Sequence, residues 1–139
     1  MYLLDTNVIS ELRKIESGRI DLRVKAWVES VPAELLFLSV VTVLELEMGV
    51  LLIERRDRAQ GRLMRKWLSS LVMPSFKGRV LAIDLLIAFR CAAMNVPDRR
   101  PDRDAWIAAT AAEHRMTVVT RNIADFQPTG VPVLNPWML

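Results

Sequence analysis

The sequence predicts an α/β fold, a mostly parallel sheet flanked by helices on both faces. Three observations predict it. Short apolar runs alternate with helical stretches of about a dozen residues, the pattern of parallel strands joined by crossover helices. Leu35 to Val41 is rich in Leu, Phe and Val and reads as a strand buried on both faces, while Met116 to Thr120 is a β-branched run. The chain has 139 residues, the size of one domain, and no internal repeat or Gly/Ser-rich linker divides it. Residues 1–139 are therefore read as a single domain.

Taken in order, Tyr2 to Leu4 is a short apolar strand that stops at Asp5-Thr6-Asn7, a cluster that ends strands and caps helices. Val8 to Lys14 follows as a short helix. Asp21 to Val31 has helical spacing through Leu22, Ala26 and Trp27 and stops at Pro32. After the Leu35–Val41 strand, one helix is expected over Thr42–Arg56 and another over Arg58–Leu71, ending before Pro74. Val80 to Ile83 is a short strand or an extended link. Asp84 caps a helix to Asn95, Pro97 to Pro101 is a loop, and Asp102 or Asp104 caps the next helix, which reaches Arg115. Met116–Thr120 is the clearest strand. The polar segment Arg121–Thr129 reads as a loop before a last strand, Val131–Leu134.

Composition excludes several function classes. With 52% hydrophobic and 25% charged residues the chain is a folded one, not a disordered one. No uninterrupted apolar run is long enough to span a bilayer, and the first residues lack the basic and apolar regions of a secretion signal, so a cytoplasmic, non-membrane protein is expected. One cysteine, Cys91, and one histidine, His114, rule out an internal disulfide, a multi-thiolate zinc site and a multi-histidine metal site. A metal here must be held by carboxylates, which suits Mg²⁺ or Mn²⁺. The net charge is +3 and arginine far outnumbers lysine, a bias that suits phosphate because the guanidinium fork donates two parallel hydrogen bonds.

Ligands of such sheets bind beyond the carboxyl ends of the strands. Four acids fall there. Asp5 directly follows the first strand, Glu45 lies near the start of the helix after the second, Asp104 opens the helix that feeds the Met116–Thr120 strand, and Asp125 lies in the loop after it. Grouped carboxylates repel, and burial disfavours their ionisation further, so a divalent cation is the natural compensation. Such a cation can activate water and offset charge developing on a phosphate, which is hydrolytic phosphodiester chemistry without histidine or cysteine. Each acid also has a purely structural reading. Asp5 caps the first helix, Glu45 closes a capping box with Thr42, Asp104 caps or complements a helix dipole, and Asp125 is a turn residue.

Other features have two readings as well. Arg55, Arg58, Arg62, Arg65 and Lys66 form a basic stripe on one helix, either an RNA-backbone contact or, as favoured, a solvated face. Arg99, Arg100 and Arg103 sit beside Asp104 in a loop better placed for substrate phosphate. Trp27, Trp67 and Trp106 are read as core or interface, Trp137 as cover for an edge or subunit contact, and Cys91 as a buried filler. The nearly continuous run Met48, Val50, Leu51, Leu52 and Ile53 exceeds what one helix face needs and points to an extra buried surface.

These residues carry a family resemblance from end to end. Leu3-Leu4-Asp5-Thr6-Asn7-Val8-Ile9-Ser10-Glu11 resembles the opening motif of PIN-domain ribonucleases of the VapC/FitB toxin type, and Ser39-Val40-Val41-Thr42-Val43-Leu44-Glu45-Leu46 their second acidic motif. The most specific match is Asp104-Ala105-Trp106-Ile107-Ala108-Ala109-Thr110-Ala111, followed by Thr117-Val118-Val119-Thr120-Arg121-Asn122 and Asp125-Phe126. The resemblance implies a PIN-like fold and a metal-dependent endoribonuclease toxin. Its acidic site would be Asp5, Glu45, Asp104 and Asp125, with Mg²⁺ or Mn²⁺ on Asp5 and Asp104. Thr6, Asn7 and Thr120 would hold the carboxylates in place. It selects Asp104 over the neighbouring Asp102. It also implies a homodimer or higher assembly, a cognate antitoxin whose tail blocks the site, and operator DNA bound only through that antitoxin.

The competing reading is a catalytically weak PIN-fold subunit that serves as the partner-binding component of a repressor complex. An aspartate-nucleophile phosphatase fits poorly, because Asn7 stands where that chemistry wants a second acid. The acids do not themselves distinguish RNA from DNA.

Overall fold

The computed structural model describes all 139 residues. Its five strands are β1 (Tyr2–Leu4), β2 (Leu36–Ser39), β3 (Val80–Leu81), β4 (Thr117–Val119) and β5 (Val133–Leu134). They form one parallel sheet in the order β3-β2-β1-β4-β5. Tyr2 is in register with Leu36 on one side and Thr117 on the other. The chain steps outward from β1 to β2 and β3, then returns to lay β4 along the other edge of β1. The strand order reverses at β1, and this is where a parallel sheet opens a crevice beyond its carboxyl ends.

Period-two alternation sorts the strand side chains between two cores. Leu4, Leu36, Leu38 and Val119 face a cluster with Val8, Ile9, Val24, Trp27, Leu46, Val50, Leu68 and Val72. Leu3 and Val118 face the opposite cluster with Ile107, Ala108, Ala111, Met116 and Phe126, and Phe37 packs against it. Trp27 meets Tyr2 edge to face at 5.2 Å. Burial on both faces explains why these strands carry apolar side chains at consecutive positions.

The helices are α1 (Thr6–Leu12), α2 (Leu22–Ser30), α3 (Val40–Arg56), α4 (Arg58–Trp67), α5 (Met73–Ser75), α6 (Leu85–Met94), α7 (Asp102–Glu113) and α8 (Ile123–Phe126). Short polar side chains start most of them, as their acceptor chemistry dictates. Asp5, Asp21, Ser39, Asp57 and Asp84 each accept from amides of the following turn. No helix is long and apolar enough to cross a membrane.

The structure corrects several expected boundaries. The Ser39 hydroxyl accepts from the Val41 amide at 3.0 Å, so α3 begins at Val40 and β2 ends two residues earlier than the β-branched pair suggests. The Asp5 cap likewise starts α1 at Thr6. The helix expected to stop before Pro74 continues from α4 through a π-turn at Leu68–Val72 into α5, whose first turn accommodates Pro74 without an amide donor. The segment expected as a loop after β4 contains α8 and a 3₁₀ turn, Gln127–Thr129. Neither Asp102 nor Asp104 caps α7. Pro101 occupies that position without a side-chain bond, and both acids lie in the first turn.

Within the expected basic stripe, Arg65 is turned onto α3 and bridges Glu47 at 2.6 Å and Glu54 at 2.9 Å. The same helix pair approaches closely at Gly61. A Cβ there would lie 2.6 Å from the Glu54 Cα. Gly61→Ala should therefore destabilise the protein by about 1–3 kcal/mol through overpacking, despite alanine's better helix propensity. Denaturant unfolding checks the sign.

Candidate active site

The carboxyl edge of the sheet is built from β1, β4, the first two turns of α3 and the first turn of α7. The Asp5 amide extends the ladder to the Val119 carbonyl at 2.9 Å, which fixes the residue after β1 beside the residue after β4. Asp5 is only 6% exposed, yet its carboxylate is well supplied with donors. The Thr120 hydroxyl donates to Oδ2 at 2.7 Å, the Thr6 amide to Oδ1 at 2.8 Å, and the Asn7 side-chain amide approaches Oδ2 at 3.4 Å. Asn7 also donates to Thr120 Oγ1 at 3.2 Å, and so does the Asn122 amide at 3.0 Å. Asp5 is thus both the cap of α1 and the centre of a network joining β1 to the β4 exit.

Glu45 does not close a box with Thr42. The Thr6 hydroxyl donates to Glu45 Oε1 at 2.8 Å, and the Thr42 hydroxyl turns to the Leu4 carbonyl at 3.5 Å. One α1 residue therefore holds the α3 acid against the α1 cap. Asp104 is half-buried in the first turn of α7, a helix whose small residues Ala105, Ala108, Ala109 and Ala111 are fully buried. Asp125 lies exposed in α8.

The charges of Glu45 and Asp125 act on Asp5, and those of Asp5, Asp125 and Glu45 act on Asp104. Burial pushes the Asp5 carboxyl above the ordinary range, and Glu45 and Asp125 push it further, while the Thr120 and Thr6 hydrogen bonds pull it back. Asp104 is pushed up to about 6, first by burial and then by Asp5, Asp125 and Glu45, and every one of these causes acts upward. Asp5, Glu45 and Asp104 line one cleft together with Thr6, Asn7, Ser10, Glu11, Arg13, Lys14, Arg121, Asn122 and Trp137.

No three acids converge as a ready-made ligand cage in this side-chain arrangement. The donor set nevertheless suits a hard divalent cation. Mg²⁺ keeps several waters and is commonly held by one or two carboxylates. Asp5 and Asp104 both line the cleft, the Asp5 charge raises the Asp104 carboxyl, and Asp104 has no hydrogen bond that favours its charge. They are two carboxylates that could hold such a cation.

Of the three arginines expected near the site, only Arg103 faces it, with Nη1 3.6 Å from Glu45 Oε2. Arg99 pairs with Asp102 at 3.8 Å and lines a separate groove with Ala88, Cys91 and Trp106. Arg100 is tied back to Asn95 and Met94. Arg99 is paired forward to the start of α7, and Arg100 is bonded back to the end of α6. Sequence reasoning missed Arg121 and Trp137, which line the cleft, and Glu11. Glu11 is 7% exposed. Burial pushes its carboxyl up, but the Lys14 ammonium at 2.7 Å and the Asp21 amide at 2.9 Å outweigh this and hold it below the ordinary range. The tie locks α1 to the start of α2. The adjacency of Glu11 and Lys14 at helical spacing was the available signal.

Two predictions follow from this network. Thr120→Val leaves Asp5 Oδ2 and the Asn7 amide without their shared partner, at a cost of about 1–3 kcal/mol read by denaturant unfolding. The second concerns pH. The folded state holds the Asp104 proton more tightly than the unfolded chain, so the metal-free protein loses stability as pH rises from about 4, the ordinary carboxylate value, to about 6. Asp104→Asn should flatten that part of the melting-temperature profile.

The PIN domain family model matches residues 2–127. VapC ribonuclease Y4jK of Sinorhizobium fredii is 37% identical over 145 residues, covering 99% of this chain and 98% of that protein. Toxin FitB of Neisseria gonorrhoeae is 37% identical over 142 residues, with 99% of each covered. Among solved structures, FitAcB from Neisseria gonorrhoeae superposes with a TM-score of 0.90 at 36% identity, covering 100% of both chains. A toxin–antitoxin complex from Klebsiella pneumoniae gives a TM-score of 0.65 at 30% identity, with 98% of each chain covered. The five-stranded parallel order, the crevice at β1 and the full-length likeness agree, and the chain belongs to the PIN-domain family.

Proposed function

We propose that the chain is a metal-dependent endoribonuclease, the toxin of a toxin–antitoxin pair. The observation that carries this is the acid group at the β1 switch point, where Asp104 is pushed up to about 6 by burial and by Asp5, Asp125 and Glu45. A site that keeps its carboxylates together against their repulsion is organised for a cation. The relatives named VapC ribonuclease and Toxin FitB support the substrate and the biological role.

A bound Mg²⁺ or Mn²⁺ would supply an acidified water and offset charge on the phosphate. The chain's own residues do the rest. Asp5, fixed by Thr120 and Thr6, and Asp104, carried by the first turn of α7, would hold the cation. Glu45, oriented by the Thr6 hydroxyl, accepts the proton of the attacking water. The water oxygen joins phosphorus, the bond to the leaving sugar oxygen breaks, that oxygen takes a proton from bulk water, and Glu45 returns its own proton to solvent. Asp125 at the rim adds negative field, and Arg103 partly offsets it beside Glu45.

Control of such an activity is proposed to come from a cognate antitoxin covering the cleft, with operator DNA bound through that partner. The solved relatives include a FitAB complex bound to a DNA fragment. Exposed Leu44, Met48, Leu51 and Leu52 along α3 offer apolar surface for assembly as a homodimer or with the antitoxin. A cytoplasmic location fits these partners.

The test is cleavage of a panel of folded RNAs by purified, partner-free protein. Cutting should require Mg²⁺ or Mn²⁺, stop with chelator, and fall at least about a hundredfold in Asp104→Asn, as expected when a cation ligand is lost. Equal cutting by both proteins would assign the activity to a contaminant and overturn the proposal.

A further inference from the structure

The cleft contains a cation that the acid chemistry above does not use. Arg13, Lys14 and Arg121 all line it, but their attachments differ. Lys14 is bound to Glu11 at 2.7 Å, and Arg13 is turned toward the Met64 sulfur. Arg121 forms no ion pair. Its guanidinium carbon instead lies 5.4 Å from the centroid of the Trp137 ring.

That placement is built from both ends. The Arg121 amide donates to Asn7 Oδ1 at 3.3 Å, and its carbonyl accepts from the Asn135 side chain at 3.4 Å. Asn135 also accepts from the Trp137 amide at 3.0 Å, so one residue ties the guanidinium's segment to its aromatic support. Trp137 is 8% exposed and packed into the core, a fixed surface rather than a mobile one. Arg121 itself is exposed and directly follows Thr120, the residue bonded to Asp5.

We propose that Arg121, laid on the Trp137 ring, binds a backbone phosphate of the substrate strand beside the acids; this rests on the ribonuclease reading above. A polyanion approaching four carboxylates meets repulsion that a cation bound at the floor offsets only locally. A neighbouring phosphate needs a cationic partner of its own. An arginine whose charge is not spent on a carboxylate keeps its donors available for that phosphate. The planar guanidinium fork is pre-organised and can rest over the indole, so less freedom is lost per hydrogen bond than for a lysine, whose ammonium is a flexible point charge. The purely structural alternative is that Arg121 only shields Trp137 from water.

The experiment measures binding of an end-labelled, mixed-sequence single-stranded RNA to the full chain carrying Asp104→Asn, with Mg²⁺ present, across a salt series. Adding Arg121→Gln should weaken binding about tenfold, as loss of one charged hydrogen-bonding contact predicts. It should also reduce the slope of log K against log salt by about 0.7, the value of one phosphate contact on a single strand. Adding Arg121→Lys should keep the slope while losing several-fold in affinity, which a shielding role would not produce. Unchanged affinity and slope in Arg121→Gln would overturn the phosphate contact. So would weaker binding with an unchanged slope, which would indicate stacking on a base. Arg121→Lys binding as tightly as its parent would overturn the role given to Trp137. Metal-dependent cutting by the wild type is scored separately. Its failure alongside Arg121-dependent binding would reject the ribonuclease reading alone, and absence of any RNA binding would reject both.

Discussion

At the junction of β1 and β4 the Thr120 hydroxyl reaches Asp5 Oδ2 at 2.7 Å. A carboxylate this deeply buried is unfavourable unless donors surround it. Two side chains and one amide satisfy it: the Thr120 hydroxyl and the Thr6 amide bond Asp5, and Asn7 bonds Thr120 and reaches Asp5, while the Thr6 hydroxyl holds Glu45. Because Thr120 can stand beside Asp5 only when β4 lies along β1, a local bond reports on the whole topology. Moving β4 to the outer edge of the sheet would strand Asp5 without its best partner.

The sheet is small for the work it does. No strand exceeds four residues, so the ladder supplies few hydrogen bonds. Stability must come from the packed faces, where Leu3 and Leu4, or Val118 and Val119, bury themselves in opposite cores. The helices then meet at fixed contacts. Gly61 lets α4 close on α3, and buried alanines let α7 lie against the sheet and α6. Small residues at these contacts set how near the Asp104 turn stands to the Asp5 turn.

Much of this was legible in the chain. Apolar runs followed by Asp5 or Asp84 announce their own boundaries, because an acceptor side chain before a helical pattern has one common use. The positions of the acids after strands were legible for the same reason. What escaped was decided by longer-range geometry. Val40 and Val41 look like strand but follow a serine that caps. Glu45 satisfies the spacing of a capping box, yet a threonine 39 positions away takes it. Arg99 and Arg103 are close in sequence but leave the chain on different sides of the first turn of α7. Trp137 carries no motif, and only packing shows that it forms the wall beneath Arg121.

The separation of 115 positions between Asp5 and Thr120 has a consequence for synthesis. At 5–20 residues per second a ribosome needs roughly 6–23 s to pass from one to the other. Until then the nascent chain carries Asp5 with neither the hydroxyl that orders it nor the β4 strand that positions its surroundings. If the finished cleft cuts RNA, that activity waits until Thr120 has been made and β4 has packed along β1. A partner that recognises the assembled cleft would be matched to that moment.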